Sequence, residues 1–201
     1  MKKPILLVFS ALALFALLAV GASAASYTVR PGDTMWRLAV SYEVGLDEIK
    51  RANPQIKNPD LIYPGDVLEI PSVDSSVLAF EREVVRLVNV ERRRMGLGEL
   101  TYDWEIGRVA RIKSEDMRDK RYFSHTSPTY GSPFQMLRSF GISYRSAGEN
   151  IARGQTTPAA VVSAWMASPG HRANILNASF THIGVGYASG GNYWTQIFIG
   201  R

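Results

Sequence analysis

The chain of 201 residues contains no cysteine. Disulfide bonds, which stabilise many small exported domains, are therefore unavailable, and so is catalysis by a thiolate nucleophile. The fold must instead be stabilised by its hydrophobic core or by a ligand. With 46% apolar and 20% charged residues, the composition is that of a globular protein. The length allows one medium-sized domain and one small domain.

The N-terminus has the pattern of a secretory signal peptide. Two lysines precede an uncharged apolar run at 5–20, and the tripeptide Ala-Ser-Ala ending at Ala24 follows as a small-residue cleavage site. The apolar run is slightly short for a membrane-spanning helix. We therefore predict that residues 1–24 are removed and that the mature protein keeps no stable transmembrane anchor. An uncleaved anchor is the alternative.

The positive charge of the chain lies mainly in its second part. Removing the two N-terminal lysines lowers the formal charge from +5 to +3. Residues 25–73 carry five basic and seven acidic side chains, whereas residues 74–201 carry sixteen and eleven. Because these charges are spread along the sequence, apart from the run at 92–94, we predict no nucleic-acid partner. An anionic cell wall or a lipid headgroup is a more suitable partner outside the membrane.

The segment from 27 to 71 has the pattern of a small βααβ module. Its apolar residues alternate in short runs at each end and recur at helical spacing between them. The helix starts and stops carry the usual N-cap and Asn-Pro signals. The predicted elements are a strand at 27–29, a helix capped by Thr34, a helix from Leu46 or Asp47 to Ala52, and a strand at 67–70.

This segment resembles a LysM domain across its whole length. The blocks that carry the resemblance are YTVRPGDTMWRLA, IKRANP and IYPGDVLEIP. LysM domains bind polymers of N-acetylglucosamine, such as peptidoglycan or chitin, between the loop after the first strand and the loop before the last. The resemblance thus implies a carbohydrate-binding domain at 25–71 with these candidate contact residues: Gly32, Asp33, Thr34, Met35, Asp60, Leu61, Ile62 and Tyr63. Backbone amides in such loops suit acetamido groups, and an apolar side chain suits a sugar ring.

A short polar linker at 72–76 leads into a larger module at 77–201. An amphipathic helix opens this module, further helices follow, and two strands around a Gly-Gly-Asn turn close it, which favours an α/β layered sandwich. The predicted helices begin near Val77, after Asp103, at Ser132-Pro133, at Thr157-Pro158 and at Pro169.

Four blocks in this module resemble the CAP superfamily, which includes cysteine-rich secretory proteins, antigen 5 and plant pathogenesis-related proteins. They read FSHTSP, GENIA, AVVSAWMASPGHRANIL and IGVGYASGGNYWTQIF, and their wording is that of the bacterial exported branch. The resemblance covers the chain from about Leu78 to Phe198. It implies an α-β-α sandwich with a broad cleft, in which two histidines and two glutamates can hold a divalent metal, often zinc.

The family tetrad is only half matched. His125 matches the first histidine and Glu149 the first glutamate, whereas Ser168 and Tyr193 stand at the other two positions. His171 lies just beyond Ser168 and is the replacement candidate. Two imidazoles and one carboxylate are a recurrent ligand set that leaves a position for water. We therefore predict one cleft lined by both histidines and Glu149, a set of ligands that could hold zinc or another divalent cation.

The alternatives for these three residues involve no metal. Each histidine can cap a helix, pack or hydrogen-bond across the cleft, and Glu149 can fasten a turn through backbone amides. In the first turn of a helix, the helix dipole also favours the neutral form of His171.

Three functions are compatible with these patterns. The first is a secreted, wall-associated protein that binds peptidoglycan through LysM and offers the CAP cleft to a lipid or protein ligand. The second is a wall hydrolase or lyase, in which Glu149 or a metal-bound water acts. A glycosidase needs two flanking carboxylates, and only Glu149 stands in a family block. The third is a structural assembly protein of the wall or of a spore envelope.

Overall fold

The computed structural model describes residues 24–201. The predicted signal peptide and its removal lie outside these residues, apart from Ala24. The elements are β1 Ala24–Thr28, α1 Met35–Ser41, α2 Leu46–Ala52, β2 Val67–Pro71, α3 Ser75–Arg94, β3 Thr101–Tyr102, α4 Trp104–Asp119, α5 Pro133–Ser139, β4 Ser146–Arg153, α6 Pro158–Ala167, α7 Pro169–Ile175, β5 His182–Ala188 and β6 Tyr193–Gly200. None of these helices is long and apolar enough to cross a membrane.

The first four elements form the small βααβ module. Strands β1 and β2 pair antiparallel, from Ala24 opposite Pro71 to Thr28 opposite Val67. The Asn53 side chain joins α2 to β2, because it donates to Glu69 O at 2.7 Å and accepts from Glu69 N at 2.8 Å. The core of this module is separate from that of the rest of the chain.

The linker between the modules is shorter than the sequence indicates. Ser75 and Ser76, which we assigned to the linker at 72–76, already form the first turn of α3. The carboxylate of Asp74 caps this helix by accepting from Ser76 N at 2.7 Å. Only residues 72–74 therefore connect β2 to α3.

The larger module is the expected three-layer α-β-α sandwich. Its sheet has the order β3-β5-β6-β4, with β6 antiparallel to both of its neighbours and β3 parallel to β5. Helices α3, α6 and α7 pack on one face, and α4 and α5 pack on the other. Every residue of β6 is buried, because the strand is central and covered on both sides.

Two glycines of β5 allow α4 to lie directly on the sheet. A Cβ atom at Gly184 would lie 2.2 Å from Gly107 N, and one at Gly186 would lie 2.0 Å from Arg111 N. Both neighbours are backbone atoms that cannot move independently of the helix. The Ser114 hydroxyl fastens the same contact by donating to Gly186 O at 2.9 Å.

Strand β4 was not predicted. Glu149 does not fasten a turn, which was the alternative to a site role; it lies within β4 and pairs with Ile197 of β6. The run from Ser146 to Asn150 is rich in small and polar residues, so its own strand propensity is low. Pairing along the full length of β6 supplies the stabilisation that local propensity lacks.

Candidate ligand cleft

A cavity of 560 Å³ opens along β4 in the larger module. It lies between the loop that carries His125, the end of β4 and the corner where α6 meets α7. The residues that line it are Phe123, Ser124, His125, Ile151, Ala152, Arg153, Gln155, Ala164, Trp165, Ser168 and His171. The cleft therefore combines an apolar wall with both predicted histidines.

His125 and Glu149 form a direct hydrogen-bonded pair. Nδ1 of His125 lies 2.7 Å from Oε1 of Glu149. The Glu149 side chain is 3% exposed, whereas that of His125 is 54% exposed. The carboxylate holds one ring nitrogen, so the imidazole is oriented and Nε2 remains available to a ligand. Glu149 supports the cleft from below and does not line it.

The loop that carries His125 is anchored to α4 by one carboxylate. Asp116 accepts hydrogen bonds from the hydroxyls of Tyr122 at 2.6 Å, Ser127 at 2.7 Å and Thr129 at 2.6 Å. Three charge-assisted bonds to one buried group hold both flanks of the histidine in place. Asp116 could not be recognised from the sequence, because its partners become its neighbours only when the loop folds back on α4.

Lys113 on the same helix holds the backbone of the histidine. Its ammonium group donates to His125 O at 2.7 Å, and the side chain is almost fully buried. Burial lowers the pKa of Lys113, while the negative charges of Glu149 and Asp116 partly oppose that shift. This residue could not be recognised from the sequence, because its position in α4 looks like that of an exposed lysine.

His171 stands in the first turn of α7, on the opposite wall of the cleft. Pro169 is the first residue of this helix, as predicted. Burial is the main cause, and the nearby His125 a smaller one, that lowers the pKa of His171 below its ordinary value of 6.5. The imidazole is therefore neutral at neutral pH and can accept or donate one hydrogen bond.

We expect the stability of the protein to fall as the pH drops below about 6.5. Between the unfolded and the folded pKa of His171, the unfolded chain binds more protons, so acid favours unfolding. His171→Gln removes this group and should reduce the slope of melting temperature against pH. NMR titration of the ring should give a midpoint below 6.5; a midpoint at or above 6.5 would contradict the assignment.

An amide network ties α7 to the sheet beneath the cleft. Asn150 Nδ2 donates to His171 O at 3.1 Å and to Gln196 Oε1 at 3.0 Å. Asn174 Nδ2 donates to Asn150 Oδ1 at 2.8 Å and to Glu149 O at 3.2 Å. This network explains why the GENIA block has an asparagine after its glutamate, which the sequence alone did not reveal.

One side chain of the cleft keeps an unsatisfied polar atom. Within residues 24–201, the buried side-chain atoms without a hydrogen-bond partner are Gln155 Oε1 and Gln196 Nε2. Gln155 lines the cleft, and its buried amide oxygen has no hydrogen-bond partner among the protein atoms.

The three candidate metal ligands are not arranged around a common point. Across residues 24–201, no group of three or more His, Cys, Asp or Glu side chains is placed to hold a metal ion. Glu149 is engaged by His125 itself. Tyr193, at the position of the second family histidine, is buried beside Ile151, with the Arg153 guanidinium 4.8 Å from its ring centre.

The candidate glycan loops of the small module divide into supporting and exposed residues. Gly32 has a φ of +88°, which the turn after β1 requires. Asp33 accepts from Tyr27 OH at 2.7 Å, and Thr34 caps α1 by accepting from Arg37 N at 3.1 Å. Met35 is buried in the core of the module. These residues shape the first loop more than they present side chains to a ligand.

The second loop presents its apolar side chains to solvent. Leu61 is 55% exposed and Tyr63 is 61% exposed, while Ile62 packs partly on the core and Asp60 is exposed. Trp36, immediately after the first loop, is 64% exposed and was not among the predicted contacts. Exposed aromatic rings next to Gly- and Pro-shaped loops suit the apolar faces of sugar rings.

Comparisons with known proteins agree with both modules. A LysM domain model matches residues 27–71, and the model of the cysteine-rich secretory protein family matches residues 85–199. The chain is 62% identical over 130 residues to the uncharacterized protein YkwD of Bacillus subtilis (strain 168), which covers 65% of this chain and 51% of the relative. It is 46% identical over 46 residues to the spore coat assembly protein ExsA of Bacillus cereus, covering 23% of this chain and 7% of the relative.

Among solved structures, the chain is similar to an extracellular protein containing an SCP domain from Bacillus anthracis str. Ames. It superimposes with a TM-score of 0.61 and 33% identity over 69% of this chain and 47% of its own. The chain thus spans about half the length of YkwD and of the Bacillus anthracis protein. Since the family model covers more than half of the sequence, this chain belongs to the cysteine-rich secretory protein family, with a LysM domain preceding the family domain.

Proposed function

We propose that this protein is a secreted, wall-associated binding protein: the LysM module attaches it to peptidoglycan, and the CAP cleft holds a ligand. The observation that carries the proposal is the complete βααβ module with Leu61 and Tyr63 exposed on its second loop. A single module binds weakly, and repeated sites along a polymer increase retention. The ExsA similarity makes a spore envelope one location to examine.

The lining of the cleft favours a small amphipathic ligand. Ile151, Ala164 and Trp165 supply an apolar wall, whereas the His171 imidazole and the Gln155 amide supply polar contacts. A pocket of mainly apolar lining with a few convergent polar groups is typical of small-molecule binding sites. A lipid-like molecule or the apolar side chain of a protein partner matches this lining.

A second candidate function is hydrolysis of wall material. The observation that favours it is the contact of 2.7 Å between His125 and Glu149, since a carboxylate that orients an imidazole is a common general-base arrangement. Glycosidase chemistry is less well supported, because Glu149 is buried against His125 and the cleft lining contains no second carboxylate.

We predict that Tyr63→Ala combined with Leu61→Ala reduces sedimentation with purified peptidoglycan by about tenfold, which corresponds to about 1.4 kcal/mol of lost binding free energy. Both side chains are largely exposed, so the melting temperature should change little. Phe134→Ala is the matched control, because Phe134 is a similarly exposed aromatic on the larger module. Equal sedimentation of the double variant and the control would contradict the assigned glycan face.

A further inference from the structure

We infer that the two modules are held in one fixed relative orientation by a charge-paired interface, so that the glycan loops and the CAP cleft belong to a single rigid body. We call this interface the module junction. It comprises Glu43, Gly45 and Glu48 of the LysM module with Arg82 and Arg108 of the CAP module. The inference does not depend on which ligand occupies either site.

The main contact of the module junction is an ion pair between α2 and α4. Oε1 of Glu48 lies 2.8 Å from Nε and 2.7 Å from Nη2 of Arg108. The two side chains are only 26% and 17% exposed. A pair that is largely withdrawn from solvent is less screened than an open surface pair and fixes geometry more tightly.

Both partners of this pair are positioned before they meet. The other carboxylate oxygen of Glu48 accepts from Gly45 N at 2.7 Å, and the Arg108 guanidinium lies 5.2 Å from the centre of the Phe140 ring. Burial alone would raise the pKa of Glu48, but the bonds from Arg108 and from Gly45 N outweigh burial and lower it. The carboxylate is therefore charged at neutral pH, and little side-chain freedom is lost when the pair forms.

Gly45 of the LysM module lies against the guanidinium of Arg108. A Cβ atom at Gly45 would lie 2.2 Å from Nη2 of Arg108. The φ of Gly45 is −72° and its ψ is 141°, an extended conformation that any residue adopts. A larger residue at this position would therefore have to displace the end of the Arg108 side chain, while the backbone conformation itself makes no demand for glycine.

A second pair and a short connection limit rotation about the first contact. Nη2 of Arg82 on α3 lies 3.0 Å from Oε2 of Glu43, and the Arg82 guanidinium lies 5.5 Å from the centre of the Tyr102 ring. This pair is more exposed than the pair of Glu48 and Arg108, so it contributes less to the stability of the interface. Two contacts on different helices, together with a linker of residues 72–74, leave the small module little freedom.

The module junction leaves both candidate sites open. The cavities beside it, of 980 and 340 Å³, are lined mainly by the α1–α2 turn, helix α2, the end of β2 and helices α3 to α5. Neither includes a residue of the glycan loops at 32–35 and 60–63 or of the ligand cleft. A glycan bound by LysM would therefore present the cleft at a constant distance and angle.

The experiment is ¹⁵N relaxation on residues 25–201, with rotational correlation times determined separately for the amides of each module. We expect one common value in the unmodified protein. Gly45→Leu displaces Arg108, and Arg108→Gln removes the charge from the CAP side, so each should give the LysM amides a shorter correlation time than the CAP amides. Arg86→Gln is the control, because it removes a charge from helix α3 whose ion pair, with Glu83, lies within the CAP module.

Folding is checked in the same spectra. The amide of Glu69, which donates to Asn53 inside the LysM module, should keep its chemical shift in every variant. If Gly45→Leu perturbs that shift, its LysM fold has changed, and the inference is then tested by the correlation times of Arg108→Gln alone. Two correlation times in the unmodified protein, or a common value that persists in the folded variants, would overturn the inference.

Discussion

Arg111→Met should destabilise the protein by about 3–5 kcal/mol, because it leaves a buried carboxylate without its counter-charge. Arg111 Nε and Nη2 lie 2.8 and 2.5 Å from the two carboxylate oxygens of Glu81, which is fully buried. Burial raises the pKa of Glu81 and disfavours the charge on Arg111, but the two-point contact between the side chains favours the ion pair and raises the pKa of Arg111. In the variant, Glu81 keeps only the hydrogen bond from Tyr187 N at 3.0 Å.

Urea denaturation followed by circular dichroism measures this loss. The double variant Glu81→Leu with Arg111→Met should recover most of the stability, since replacing both partners with apolar side chains leaves no orphaned charge. Arg86→Met is the surface control, and its exposed pair with Glu83 should contribute no more than about 1 kcal/mol. A loss for Arg111→Met as small as that of the control would contradict the structural role of the buried pair.

Trp165→Ala should lower the free energy of unfolding by about 3–5 kcal/mol, as Arg111→Met does, and should also open the ligand cleft. Trp165 is 1% exposed, packs in the core beneath α6 and donates from Nε1 to Ile151 O at 3.3 Å. Its removal leaves a cavity in the core and removes one wall of the site.

Two controls separate the causes of this loss. Trp165→Phe keeps most of the ring volume and loses the hydrogen bond. Its free energy of unfolding should therefore lie between those of the unmodified protein and the alanine variant. Trp36→Ala removes the same side chain from an exposed position and should be nearly neutral. Chemical denaturation of the three variants gives the comparison. Equal losses for Trp165→Ala and Trp36→Ala would show that Trp165 is not a core residue.

Local signals made most of the helices predictable. Thr34, Asp103, Ser132 and Thr157 cap α1, α4, α5 and α6 as expected, because each places a side-chain oxygen on the free amides of a first turn. The closing hairpin also turns at its Gly-Gly-Asn sequence. These features depend on a few neighbouring residues, which is the range over which a sequence is directly informative.

Features that depend on distant residues were not predictable in the same way. Strand β4 exists because β6 pairs with it, and the contact between His125 and Glu149 joins residues 24 positions apart. The sequence also suggests that Ala160, Val161, Ala164 and Trp165 form the inward face of α6. In the structure Ala160 and Ala164 are exposed, whereas Val162 is buried. A helix rich in alanine carries little periodicity to indicate its buried face. The family resemblance identified His125 and Glu149 as site candidates, and only the fold shows how they meet.

The central claim is tested most directly by incubating residues 25–201 with purified peptidoglycan and analysing both the pellet and the supernatant. We expect the protein to pellet, N-acetylglucosamine oligomers to displace it, and no soluble fragments or new reducing ends to be released, with zinc present or chelated. His125→Ala and His171→Ala should pellet equally, because the cleft is separate from the glycan loops. Failure to pellet would contradict wall attachment through LysM. Release of fragments that His125→Ala abolishes would instead make the protein a wall hydrolase.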